Sequence, residues 1–189
     1  MTVSPEPARD GAGTAADHLG WVFDGAAEFA GRVASFLAEG WDRGERLMVV
    51  TDNPRVGQWP QYLLDRRDLL VLSTAEVYGP DRLANTGRLR DDFDQAVAEA
   101  VTAGYHGLRV AADNTSLTLS DDRLAAWLVW EAEAEALVRS RPITRMCAFD
   151  RSRAGQDTLA ALVRAHPIAA FRTPSAGTTP HRGREWEDR

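Results

Sequence analysis

The sequence predicts an α/β domain of three layers, αβα, around a mostly parallel sheet. Three observations predict it. Short, continuously apolar runs suit strands covered on both faces, amphipathic helical stretches alternate with them, and no linker or repeat interrupts Asp17 to Phe171 in the 189 residues. His18–Asp24 (HLGWVFD) is the first strand. Phe29, Val33, Phe36 and Leu37 then fall on one face of a helix that Gly40 or Gly44 closes. Arg46–Thr51 is a second strand, and Pro54 suits the first turn of a short helix reaching Leu64. Leu69–Leu72 is a third strand. Phe93, Val97 and Val101 mark a helix from about Asp81 to Ala103, and Gly107–Ala112 is a fourth strand. Ser120 caps the next helix, Asp121 and Asp122 match its dipole, and it runs to about Arg139 before Pro142. Ile143–Phe149 is a fifth strand, Gln156–Ala165 a last helix, and Ile168–Phe171 a sixth strand. Ligands are expected beyond the C-terminal ends of such strands. Residues 1–16 and 173–189, rich in small and polar residues without periodicity, read as mobile tails flanking one domain over 17–172.

Composition narrows the chemistry. A net charge of -6 argues against a general nucleic-acid grip. The single cysteine, Cys147, excludes an internal disulfide and a multi-cysteine zinc site. All 22 basic residues are arginine, so neither Schiff-base chemistry nor a phosphate-loop lysine is open to these side chains. No apolar run is long enough to span a bilayer, and no signal peptide is visible, so a cytoplasmic location is expected. His18, His106, His166 and His181 form no close pair at helical spacing, and neither HExxH nor GxSxG occurs. No metal, cofactor or catalytic constellation is therefore expected.

Two charges stand where the pattern wants apolar residues. Glu131 shares a helix face with Leu124, Trp127, Leu128 and Val138, and Arg109 interrupts the fourth strand. Buried alone, either would cost several kcal/mol on the order-of-magnitude scale for unpaired charge. They could form a structural ion pair with each other, or together line a polar cavity closed by a ligand; the pattern does not separate these. His18 opens the first strand. Tyr78, near Glu76, follows the third. Cys147 reads as a small buried hydrophobe, and Asp150 ends its strand.

In order and spacing, these marks resemble the MEDS domain, the DcmR-type sensory domain of methanogens and methylotrophs. The residues that carry the resemblance are His18 in HLGWVFD, the stretch SFLAEGWDRGERLMVV, Tyr78 in AEVYGP, Arg109 in GYHGLRVAAD, Trp130-Glu131, and Cys147-Ala148-Phe149-Asp150. The opening stretch also resembles the start of a RecA/KaiC-type ATPase, where a phosphate loop feeds the first helix. A working Walker A loop reads G-x-x-x-x-G-K-[ST]. Residues 25–33 read GAAEFAGRV, so Gly25 and Gly31 keep the approximate spacing, Arg32 replaces the lysine, Val33 replaces the hydroxyl, and Glu28 adds a negative charge. This is the pattern of a degenerate phosphate loop, although Asp113 could still direct magnesium.

The resemblance implies a RecA-like fold without ATPase chemistry and a non-catalytic sensory domain binding a small organic, hydrocarbon-like molecule. Ligand-binding residues would be His18, Tyr78, Arg109 and Glu131, with Trp21 or Trp130 as apolar wall. Signalling would pass to a partner such as an anti-sigma, histidine-kinase or STAS-type protein. The competing expectations are a degenerate nucleotide-binding protein and a pure protein-interaction module of a sigma-factor pathway.

Overall fold

A computed structural model describes residues 18–52 and 69–166. The strands are β1 (His18–Phe23), β2 (Arg46–Val50), β3 (Leu69–Leu72), β4 (Leu108–Asp113) and β5 (Ile143–Asp150). The helices are α1 (Ala26–Asp42), α2 (Thr74–Tyr78), α3 (Thr86–Thr102), α4 (Asp121–Ser140) and α5 (Gln156–Ala165), with a 3-10 turn at Thr115–Thr118. The five strands form one sheet in the order β1-β5-β4-β2-β3, and all four pairings are parallel. The expected helix over Pro54–Leu64, the sixth strand and both tails lie outside the described residues.

A parallel sheet must be covered on both faces, and two apolar cores do this. On one face, α1 lays Phe29, Val33, Phe36 and Leu37 against Trp21, Phe23, Leu47, Val49, Ala111, Met146 and Ala148. On the other, α3, α4 and α5 pack Phe93, Val97, Trp127, Trp130 and Leu162 against Met48, Val110, Cys147 and Phe149. Successive strand residues point to opposite faces, so each strand serves both cores. This is the three-layer αβα arrangement that the alternating pattern predicts. Among the described residues no helix is long and apolar enough to cross a membrane.

Boundaries follow local chemistry. The Ser120 side chain accepts from the Arg123 N–H and starts α4 where expected. Helix α3 begins five residues later than the expected Asp81, because the Asn85 side chain caps the Arg88 N–H. Before it, Gly79 and Arg82 adopt positive φ angles of 95° and 56°, which no helix accommodates. The short α2 is an element beyond those the pattern predicts, and Ser73-x-x-Glu76 forms a complete capping box at its start.

Candidate functional site

Among the described residues, a buried polar cluster lies under α4 and α5, on the face of β1 and β5 away from α1. His18 is the first residue of β1 and pairs in register with Arg145 of β5. Arg145 and Cys147, two residues apart on β5, point to that same face. Glu131 descends from the middle of α4, and His166 follows the last turn of α5. All five side chains are buried, none more than 5 % exposed. The cluster therefore sits against the sheet beneath the helices, not beyond the C-terminal strand ends where the fold class places ligands.

Its geometry converges on one point. Glu131 Oε2 lies 3.1 Å from His18 Nε2 and 3.1 Å from His166 Nε2. Cys147 Sγ lies 3.5 Å from His18 Nε2 and 3.5 Å from Glu131 Oε1. The outer ring nitrogens are held elsewhere. His166 Nδ1 is 2.9 Å from the Leu162 carbonyl and His18 Nδ1 is 2.9 Å from Glu135 Oε2, both pure acceptors, so each Nδ1 donates and each Nε2 faces the centre. Arg145 donates to Cys147 Sγ at 3.6 Å, and its guanidinium lies over the rings of Trp130 and Phe93 at 5.3 and 5.5 Å.

Tyr78 adjoins this network. It is 1 % exposed, packs edge-on to Trp127, and its hydroxyl lies 3.4 Å from Asn114 Oδ1 while also interacting with Arg145.

Mutual support sets the protonation. Burial opposes charge on His18, but hydrogen bonds to Cys147 and Glu131 outweigh it and hold its pKa at about 9. The same balance holds His166 at about 10. Burial would raise Glu131, yet hydrogen bonds from His166 and His18, with the Arg145 charge, hold it well below the usual carboxylate range. Burial and Glu131 push the Cys147 thiol up, while Arg145 and the two histidines bring it down to about 7. Burial pushes the Tyr78 phenol up. Perturbed, mutually dependent groups of this kind mark functional sites more often than plain cores.

Other expected site residues lie elsewhere. Arg109 and Glu131 are on opposite faces of the sheet, so neither the Arg109–Glu131 ion pair nor a cavity shared by both forms. Arg109 faces α1, where its Nε donates to Glu45 Oε2 at 2.5 Å and its Nη1 to the Phe36 carbonyl at 3.2 Å. Glu39 Oε2 lies 3.7 Å away, and the guanidinium stacks 4.5 Å over the Phe36 ring. Trp21 is on this same face, in the Phe23–Phe29 aromatic group. Of the five expected ligand residues, the structure brings together His18, Tyr78 and Glu131, with Trp130 as the neighbouring aromatic.

The expected degenerate phosphate loop is not a loop over most of its length. Only Asp24 and Gly25 separate β1 from α1, so Gly31 and Arg32 lie inside the helix, exposed, rather than in a loop. Gly25, at φ 82°, is the N-cap. The Glu28 carboxylate accepts the Asp24 N–H at 2.7 Å, occupying a donor at the helix N-terminus that an anion would use. Asp113, at the end of β4, accepts from the Thr115 N–H and hydroxyl.

A cleft of about 290 Å³ opens beside the cluster, between β2, β3 and α3. Met48, Leu72, Val77, Phe93 and Ala96 line it, with Glu76 and Asp92 as its polar members. Phe93 is the shared wall: one side lines the cleft, while its ring stacks 5.7 Å from Trp130 and lies under Arg145. From the cleft the contacts run through Phe93 and Arg145 to Cys147, and from Cys147 to Glu131.

The sequence pattern of the MEDS family, the MEthanogen/methylotroph, DcmR Sensory domain, matches residues 17–167, and the chain belongs to that family. Its family role is thus sensory. No curated protein matches the chain.

Proposed function

We propose that this MEDS-family chain is a non-catalytic sensory domain that binds a small organic molecule in the cleft between β2, β3 and α3 and passes the event to a partner regulator. One observation carries the reading. An apolar cleft of about 290 Å³, the lower end of the small-molecule range, shares the Phe93 wall with a buried charged cluster. A ligand pressing on Phe93 would displace its contact with Arg145. That changes the charge facing Cys147 and Glu131, a local event able to bias α4 and α5, which hold the cluster from above. Met48, Leu72, Val77 and Ala96 favour the hydrocarbon part of a ligand, and Glu76 and Asp92 favour a hydroxyl or amine over a carboxylate.

The test fills the cleft. Ala96 is half-buried on its wall, so Ala96→Phe should occupy the space with little effect on folding. Calorimetric titration with short alcohols, amines and ketones should find saturable 1:1 binding to the parent chain. The variant should lose at least tenfold in affinity at an unchanged melting temperature. Equal binding by both chains would reject the cleft as the ligand site. The nucleotide-binding alternative gains nothing from Gly31 and Arg32 inside α1 or from Glu28 at its N-terminus.

A further inference from the structure

We propose that His18 Nε2, His166 Nε2, Cys147 Sγ and a Glu131 carboxylate oxygen form a binding site for one divalent transition metal ion, with zinc the best match. One ligand atom from each residue places all four within 4.8 Å of one another. Zinc bonds of about 2.0–2.1 Å to nitrogen and oxygen and about 2.3 Å to sulfur make a tetrahedron with edges of about 3.3–3.6 Å. With Glu131 Oε2 as the carboxylate ligand, its separations of 3.1 Å from each Nε2 and the 3.5 Å between His18 Nε2 and Cys147 Sγ are near those edges, and side-chain adjustment within the 4.8 Å cluster would close the rest.

The surroundings supply an independent argument. Metal-bound histidines nearly always donate the other ring N–H to a carboxylate or carbonyl, which orients the ring and fixes its tautomer. Both histidines are set up this way, His18 by Glu135 and His166 by the Leu162 carbonyl. Glu131 Oε2 sits 3.1 Å from each of the two Nε2 atoms, the arrangement expected of atoms directed at a common centre. A dication held by one thiolate, one carboxylate and two neutral imidazoles gives a centre of zero net charge, which suits full burial. Arg145, donating to Sγ at 3.6 Å, favours the thiolate that a metal requires.

The donor set selects the metal class. Imidazole and thiolate favour zinc, cobalt and nickel over magnesium and calcium. Four protein ligands, all buried, leave no open position, so the ion would hold structure instead of activating water. It would join β1, α4, β5 and the end of α5, the elements that the sensory reading requires to move together. The site stands on its own geometry and does not depend on an organic ligand in the cleft.

Tag-free full-length protein, stripped with a chelator and titrated with Co²⁺, tests the assignment. The parent chain should take up one Co²⁺ with tetrahedral d–d absorption and a thiolate-to-cobalt charge-transfer band, and Zn²⁺ should displace it. Cys147→Ser should lose that band. Because a core variant could unfold, Glu135→Gln provides the second test, its side chain being 28 % exposed and not itself a ligand. It should keep the spectrum and weaken Zn²⁺ binding about 10- to 100-fold, because a neutral amide is a weaker outer-sphere acceptor for the His18 Nδ1–H than a carboxylate. Substoichiometric uptake by the parent, absence of the charge-transfer band, or an unchanged Zn²⁺ affinity in Glu135→Gln would overturn the proposal.

Discussion

A guanidinium only 2 % exposed must be answered on every side, and Arg109 is. Glu45 takes its Nε, the Phe36 carbonyl takes Nη1, Glu39 lies within ion-pair range, and the Phe36 ring covers its face. Removing one partner of a buried pair leaves the other uncompensated, so Arg109→Ala should cost about 3–5 kcal/mol in urea denaturation. The double variant Arg109→Ala/Glu45→Gln should recover part of that loss, as coupled neighbours do. Misplaced charge is a real signal in the sequence, since it singles out both Arg109 and Glu131. What it lacks is the face: in a strand buried on both sides, apolar flanks do not say which way the odd residue points. The two residues therefore look like partners and are not. Arg145 interrupts β5 as Arg109 interrupts β4, so the same signal could have found it. Cys147 and His166 carry no such mark. They join His18 across separations of 129 and 148 residues, Cys147 through the register of β1 on β5 and His166 through the packing of α5 against β1.

At the scale of elements, α1 shows how local rules yield to packing. Glycine inside a helix ordinarily costs roughly 0.5–1 kcal/mol relative to alanine. At Gly40, in the last turns of α1, an added Cβ would run into Cδ and Nε of the buried Arg109. Gly40→Ala should therefore destabilise by about 1–3 kcal/mol, the range for overpacking a core, and denaturant unfolding will give the sign. A gain in stability would mean that Arg109 is free to move aside. The helix periods are legible because α1, α3 and α4 each bury one defined stripe, and the Ser120 cap of α4 is short-range chemistry, whereas the Asn85 cap starts α3 later than the pattern predicts. The phosphate-loop pattern misled for the converse reason. Glycine spacing in GAAEFAGRV says nothing about where the helix starts, and α1 begins at Ala26, before the second glycine is reached.

Across the whole molecule, the two faces of the sheet are built differently. The α1 face is an apolar core holding one compensated ion-pair group. The α3–α5 face holds the open cleft, the stacked Phe93–Trp130 pair and the His18–Glu131–Cys147–His166 cluster, in contact with one another. The parallel three-layer plan could be read from strands without alternation, but this division of labour could not, because it depends on which helix covers which face. Trp130 reports the coupling between cleft and cluster, since its ring touches both Phe93 and Arg145. The most direct test follows the indole N–H resonances while small alcohols, amines and ketones are titrated in. At least one class should shift the Trp130 signal saturably and leave Trp21, on the α1 face, unmoved, with Ala96→Phe abolishing the shift. A ligand that binds while Trp130 stays still, or that moves Trp21 instead, would contradict coupling between the cleft and the cluster.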